Sequence, residues 1–366
     1  MSPNPTRNGG SPASVAVGTH AGRRRPTHID RRRPTHAGRR RPAAIVALLA
    51  LVICGIVLSL AIGAKSIPIE TVLEAVFARG PSADHATVWD GRIPRTALAV
   101  VAGIALAVAG ALMQAITRNP LADPGVLGVN AGAAFAVVVA VGFLGWTAPP
   151  QYIWFSFAGA LVVALMVYYV GTGGRANVDP VRLTLAGVAL GAVLTGIGEG
   201  LALLRPRAFD RMRVWMIGSV DIRSLDPTLW ILPFVAVGLV LALGAGPRLN
   251  AIALGDDQAA SLGVNVTRTR IACVAAITLL AGSATAAAGS IAFVGLMIPH
   301  AARWICGPDQ RWIIALSALM GPILMLYADV LGRVIVPGEM PVGVVTALVG
   351  APVLIMLARR RRVAHL

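Results

Sequence analysis

Apolar residues run along this chain in long blocks, without the strict alternation of exposed strands, and short joints rich in Gly, Pro and Arg separate them. An α-helix rises ~1.5 Å per residue and a bilayer's hydrocarbon core is ~30 Å thick, so one crossing needs about 20 apolar residues. Ten blocks fit: 43–64, 96–116, 126–144, 152–170, 181–204, 229–247, 269–288, 290–306, 312–331 and 342–358. The eighth is the most interrupted, by Gly289, Gly295 and Pro299. An even count returns both ends to one side. Both ends are arginine-rich, and basic flanks stay in the cytoplasm. The pattern predicts an all-α polytopic protein of the cytoplasmic (inner) membrane with both termini inside.

Composition agrees with that reading and excludes others. Of 366 residues, 56% are hydrophobic and 13% charged, against about 25% charged in soluble proteins; mean hydropathy is +0.75. A disordered chain and a soluble enzyme are both excluded. The net charge of +16 could suggest nucleic acid, but its distribution does not. Met1–Pro42 carries ten Arg and one acid, Asp30, and Arg359–Arg362 closes the chain. Residues 1–42 repeat Arg-Arg-Arg-Pro with nothing to bury, and are predicted to be a disordered cytoplasmic tail. Contact with anionic headgroups and an inert extension fit the tail equally. The membrane-spanning body is then residues 43–360. Cys54, Cys273 and Cys306 are too widely spaced for a disulfide framework or metal cluster.

Local signals mark joints and packing faces. Asn119-Pro120 and Asp123-Pro124 each place a capping side chain before a proline suited to a first helical position. Span five carries Gly187-x-x-x-Gly191 and Gly196-x-x-x-Gly200, small faces that let helices approach closely, at a protomer interface or inside one bundle. A basic turn followed by a Gly/Ala-rich span recurs at Arg92–Ile116 and Arg268–Gly289 in opposite membrane senses, the pattern of an inverted repeat.

The chemistry is mostly one of exclusion. A phosphate-binding P-loop needs Gly-Lys-Ser/Thr, and the single lysine, Lys65, follows Ala64. No catalytic constellation and no metal-ligand cluster appears, so no catalytic residue or bound cofactor is expected in this chain. Ion-driven carriers keep acids deep in the membrane; here Glu199 and Asp329 lie near outer span ends. His300 reads as a packed histidine, a ligand or a proton shuttle. What remains is a pore or carrier energised by another protein, with an ion-coupled secondary transporter as the alternative of a different class.

Ordered motifs then carry a resemblance. They are Arg92-Ile-Pro-Arg95, Gly110-x-x-x-Gln114, Arg118-Asn-Pro-Leu-Ala-Asp-Pro124, Trp215-x-x-Gly218-Ser219, Leu254-Gly255-Asp-Asp-Gln-Ala259 and Ser261-Leu262-Gly263. Phe293-Val-Gly-Leu-Met-Ile-Pro-His300, Asp329-x-x-x-Arg333, Glu339-Met-Pro341 and Gly350-Ala-Pro352 follow. Together they resemble the FecCD family of ABC-transporter permeases over about residues 45–360, with Asp256-Asp257 where the family usually has Glu. The resemblance implies a type II importer with two ten-span permeases, identical or paralogous, two cytoplasmic ATPases that bind ATP and Mg, and an extracytoplasmic substrate-binding protein. Ferric siderophore is the first-choice cargo, and vitamin B12 or haem the alternatives.

Three sites are expected. The internal segment 248–268 reads as a short amphipathic helix flanked by glycines, and the resemblance makes Leu254, Gly255, Asp256, Asp257, Gln258, Ala259, Leu262 and Gly263 the contact to the ATPase. On the outside, Arg92, Arg95 and Arg333 match positions that dock acidic residues of the binding protein. Arg205, Arg207, Arg211, Arg213 and Arg223 add external charge that reads either as docking or as idle surface. Gly187, Gly191, Gly196 and Gly200 are the candidates for helix packing or the path wall.

Overall fold

The computed structural model describes residues 37–359 apart from 64, 79, 147, 173–179, 205 and 337. Most of the predicted tail, 1–36, and the last seven residues lie outside them.

Fourteen α-helices follow one another, with no strand among the described residues: α1 Ala37–Ala61, α2 Ile69–Phe77, α3 Ala83–Thr87, α4 Ile93–Thr117, α5 Val129–Gly142, α6 Pro149–Thr172 and α7 Pro180–Leu204. The second half holds α8 Pro206–Ile217, α9 Asp226–Ile252, α10 Asp256–Ser261, α11 Val266–Ala288, α12 Val294–Cys306, α13 Gln310–Ile335 and α14 Val342–Arg359. Each of the ten predicted spans coincides with one helix: α1, α4–α7, α9 and α11–α14. Seven of these are long and apolar enough to cross a membrane, and α5 and the Val342–Met356 part of α14 are shorter apolar helices. The chain is a multi-pass membrane protein.

Three boundaries differ from the sequence reading. α1 starts at Ala37, within the segment predicted as disordered tail, because arginine is a good helix former and extends the apolar helix by roughly one and a half turns. No helix starts at Pro120: the Asn119 Oδ1 accepts the Leu121 N–H at 3.0 Å and makes a turn instead. Asp123 does cap, accepting the Gly125 N–H at 2.8 Å, but it opens a single 3₁₀ turn, Pro124–Leu127.

The third boundary shapes the whole fold. Spans three and eight are half-length helices that begin deep in the bundle. Pro124 and Gly295, at their starts, pack against each other and against the middle of α4. A β-carbon on Gly110 would lie inside the Gly295 carbonyl group, so only glycine fits there. One turn on, the buried Gln114 donates to the Gly295 and Leu296 carbonyls at 3.4 and 3.1 Å. Irregular backbone at membrane depth persists only inside protein or beside a cavity, and here α4 covers it. The same geometry recurs: α4, a break and α5; then α11, a break and α12. The end of α4 and the start of α11 meet the same residue, Asp256, through Arg118 and Arg270, so the two helices run antiparallel. This is an inverted repeat with discontinuous helices.

The core sits around α4, whose apolar window is 78% buried, whereas those of α1 and α7 are only 17% buried. α4 crosses α13 where Gly103 meets Gly321, a β-carbon on Gly103 falling 2.7 Å from the Gly321 carbonyl carbon. Without a hydrophobic drive between helices in lipid, such close backbone packing supplies the dispersion energy that holds them.

Candidate functional site

At one end of the bundle lies a buried ion cluster. The Asp329 carboxylate, 1% exposed, receives Arg95 Nε at 3.0 and 3.1 Å and Arg95 Nη2 at 2.9 Å. It also pairs with Arg333, one helical turn along α13. Arg333 Nη1 donates to the carbonyls of Ser59 and Ile62 on the end of α1, at 2.7 and 2.9 Å. Arg92 donates to the carbonyls of Leu60 and Lys65. Arg95 Nη1 reaches Glu339 at 2.6 Å and Asp221 at 3.4 Å.

The sequence reading has Arg92, Arg95 and Arg333 presented on the outer surface. The structure brings all three together but buries them, because α1, α4 and α13 converge there and supply acceptors. The accessible charge is the rim of a ≈ 290 Å³ pocket lined by Arg95, Ser219, Asp221, Arg223 and Glu339. Glu339 sits at φ 59°, a left-handed conformation that a non-glycine residue seldom adopts. Partial burial alone would raise its pKa, but the hydrogen bond and charge of Arg95, then Arg333 and Arg223, hold it below the usual 4.5. Of the other arginines, Arg213 and Arg223 are exposed; Arg205 and the side chains of Arg207 and Arg211 lie outside the described residues.

At the opposite end, α10 stands between α9 and α11. Gly255 at φ 124° and Gly263 at φ 80° make the two bends that set it apart. Ala259 is fully buried, whereas Leu254 and Leu262 are 61% and 65% exposed. Asp256 fixes the helix: Arg118 binds it at 2.6 Å and Arg270 at 3.1 Å. Arg118 is the left-handed C-cap of α4 and also donates to the Ile252 carbonyl, so α4, α9, α10 and α11 are tied at one point. Asp257 and Gln258 occupy the first turn of α10 and are exposed. The Asn250 amide and Asp309 extend this end to α13, at 2.8 Å.

The glycines of α7 divide. Gly187 is pressed on the Val126 carbonyl and Gly191 touches Ala131, both within one chain, whereas Gly196 and Gly200 face open space. A cavity of ≈ 270 Å³ lies between α7, the start of α5 and the end of α8. Glu199 lines a separate pocket with Arg213, and His300 packs edge-on to Trp304 at 4.9 Å. Among the described residues no group of acids, His and Cys is placed to hold a metal.

Arg118, Asp221, Asp329 and Glu339 were not singled out by sequence as a connected set. The Asp329-x-x-x-Arg333 spacing signals one pair, since residues four apart share a helix face; the links to α4 are tertiary.

The chain is 51% identical to the ferric enterobactin transport system permease protein FepD of Escherichia coli, covering 87% of this chain and 95% of that one. It is 40% identical to the iron(3+)-hydroxamate import system permease protein FhuB of Bacillus subtilis, covering 87% and 83%. It is also similar to a solved inward-facing metal-chelate type ABC transporter, with a TM-score of 0.76 and 25% identity over 87% of this chain and 99% of that chain. The family model of the FecCD transport family matches residues 50–360, and this chain, a membrane permease, belongs to that family.

Proposed function

We propose that this chain is the permease of an importer that carries ferric siderophores across the cytoplasmic membrane, driven by ATP hydrolysed in a partner. The observation that carries the reading is α10, a short helix held by the Arg118–Asp256–Arg270 bridge with Leu254 and Leu262 standing out from it. Two exposed leucines on a braced element are poor surface for water and good surface for a groove in another protein. That face meets the ATPase, which binds ATP and Mg; the opposite face, with the pocket of Arg95, Asp221, Arg223 and Glu339, meets the substrate-binding protein. Both termini are cytoplasmic in this arrangement, and a second permease, identical or paralogous, covers the open side of α7.

Iron chelates are favoured as cargo over vitamin B12 and haem because the similar permeases are named for ferric enterobactin, ferric hydroxamates and ferric citrate. An ion-coupled carrier is disfavoured because Asp329 is 1% exposed and engaged by two guanidinium groups, a structural pairing and not an open ion site. The test is uptake of radiolabelled ferric chelates in cells deleted for the gene and complemented with it. Uptake should vanish when the partner ATPase loses its phosphate-binding lysine and persist under a protonophore. The reverse pattern overturns the reading.

A further inference from the structure

The nine-residue helix α2, Ile69–Phe77, takes no part in the sites described so far, and its surface divides into three sectors. Successive residues turn by ~100° around a helix. On that projection the buried Val72 and Ala75 form one sector, and they pack with Ala61, Ile67 and Val88 in a small core of their own. Beside it come Ile69, Leu73, Val76 and Phe77, all exposed, Phe77 by 85%. Glu70 and Glu74, also exposed, follow on the far side. The apolar surface of α2 therefore runs well beyond what its own chain covers.

The depth of α2 follows from its links. The apolar stretch of α1, Pro42–Ala61, is 20 residues long. At ~1.5 Å each that matches the ~30 Å hydrocarbon core, so Ala61 stands at one edge of it. The Ile67 N–H donates to the Ala61 carbonyl at 3.0 Å, which brings the chain straight back to that edge, and α2 starts two residues later. Its last turns are held by Trp89, whose indole N–H donates to the Ala75 carbonyl at 2.7 Å; tryptophan favours the membrane–water boundary. Val46, Leu49, Ile53 and Val57 make an exposed stripe along α1, so an apolar surface already in lipid leads up to α2. A stable protein interface takes about 20–30 residues a side, far more than this sector supplies.

We propose that α2 is an interfacial anchor. It lies along the bilayer surface at the Arg95 end of the bundle, with Ile69, Leu73, Val76 and Phe77 among the acyl chains just below the headgroups and Glu70 and Glu74 in water. Burial of apolar area drives the contact; with two carboxylates and no basic residue, α2 gains nothing from anionic headgroups. Arg92 donates to the carbonyls of Leu60 and Lys65 on either side of the turn into α2, so the anchor steadies the edge of the buried ion cluster. The inference needs only the membrane-spanning helices and stands whichever cargo is carried.

The test uses the full chain in phosphatidylethanolamine nanodiscs, in a background without Cys54, Cys273 and Cys306. Glu70→Cys, Leu73→Cys, Glu74→Cys and Phe77→Cys each carry a nitroxide, and its collisions with oxygen, which collects in lipid, and with a water-soluble nickel chelate are measured. The oxygen-to-nickel collision ratio should be several-fold higher at 73 and 77 than at 70 and 74, and should keep that order when phosphatidylglycerol is added. Leu73→Asp removes apolar surface without touching the Val72–Ala75 side, so the chain should still extract as folded protein while the nitroxide at 77 becomes several-fold more accessible to nickel. Equal nickel access at all four positions overturns the proposal, since α2 then stands in water. So does low access of both reagents at 73 and 77, which marks a protein cover such as a second permease. A Leu73→Asp chain that is folded and leaves the nitroxide at 77 unchanged overturns it as well. Repeating the measurement with the substrate-binding protein present gives the last arm: a loss of oxygen access at 73 and 77 assigns the sector to that partner and overturns the lipid assignment, and unchanged access supports it.

Discussion

Asp329→Asn is the sharpest test of how α1, α4 and α13 are held together at one end of this permease. The carboxylate is 1% exposed and takes three contacts from Arg95, between 2.9 and 3.1 Å, besides its pair with Arg333. Arg92, Arg95 and Arg333 supply three positive charges against Asp329 and Glu339, a local +1. The amide raises this to +2 and leaves Arg333 with only neutral acceptors, the Ser59 and Ile62 carbonyls and the Ser59 hydroxyl. Removing one partner of a buried pair costs about 3–5 kcal/mol, a large part of the ~5–15 kcal/mol that holds a typical domain. Equilibrium unfolding in bicelles should therefore show Asp329→Asn destabilised by about 4 kcal/mol. Adding Arg333→Met removes the stranded charge, so the double variant should be more stable than the sum of the singles by at least ~1 kcal/mol. A single variant within ~1 kcal/mol of wild type, or strict additivity, would refute the account.

Four further outcomes follow from the same geometry. Gly110→Ala forces a β-carbon into the Gly295 carbonyl and should cost about 3 kcal/mol or more, read as loss of folded protein after detergent extraction. Leu262→Asp and Gly263→Pro should leave membrane insertion intact but separate ATP hydrolysis from uptake; Gly263 sits at φ 80°, which proline cannot adopt, and normal coupling in both removes α10 from the ATPase contact. Glu339 has a folded pKa below 4.5, so the stability it contributes is complete above that value and is lost as pH falls through the folded one; Glu339→Gln should flatten the acid limb of a stability–pH curve. Gly187→Leu should disrupt the isolated chain, whereas Gly196→Leu should spare it and impair only assembly or transport, measured by extraction yield against uptake.

What the chain reveals to a reader of its sequence follows from how local each cause is. The spans are local: twenty apolar residues have one way to satisfy their backbone in lipid, and each of the ten blocks is a helix. α10 is also local, since Gly255 and Gly263 bracket Asp256-Asp257 and a buried alanine. The half-helices are not local. Their starts at Pro124 and Val294 are fixed by the meeting of Gly110 with Gly295, residues far apart in sequence. The arginines were legible as charge but not as partners, because the Arg95–Asp329 pair joins α4 to α13. Nor could one motif tell its two fates apart: Gly187 and Gly196 open identical Gly-x-x-x-Gly pairs, yet one is pressed on backbone and the other faces open space.

These contacts give α4 a particular standing in the molecule. Its first turn carries Arg95, bound to Asp329, Glu339 and Asp221; its last turn passes into Arg118, which holds Asp256 and the Ile252 carbonyl. Between them, glycine contacts seat it on α13 and α12 with backbone against backbone, where packing is least compressible. A helix clamped at both ends and along its length moves as a body or not at all. α7 is the opposite case, mostly uncovered within the chain and resting chiefly on α5 and α6. Any change imposed at α10 is therefore cheaper to express as a shift of the α5–α7 wall against α4 than as bending of α4 itself. The cavity lined by Asn130, Gly187 and Gly191 lies on that less covered wall, at the side of the fold that can shift without disturbing the clamped helix.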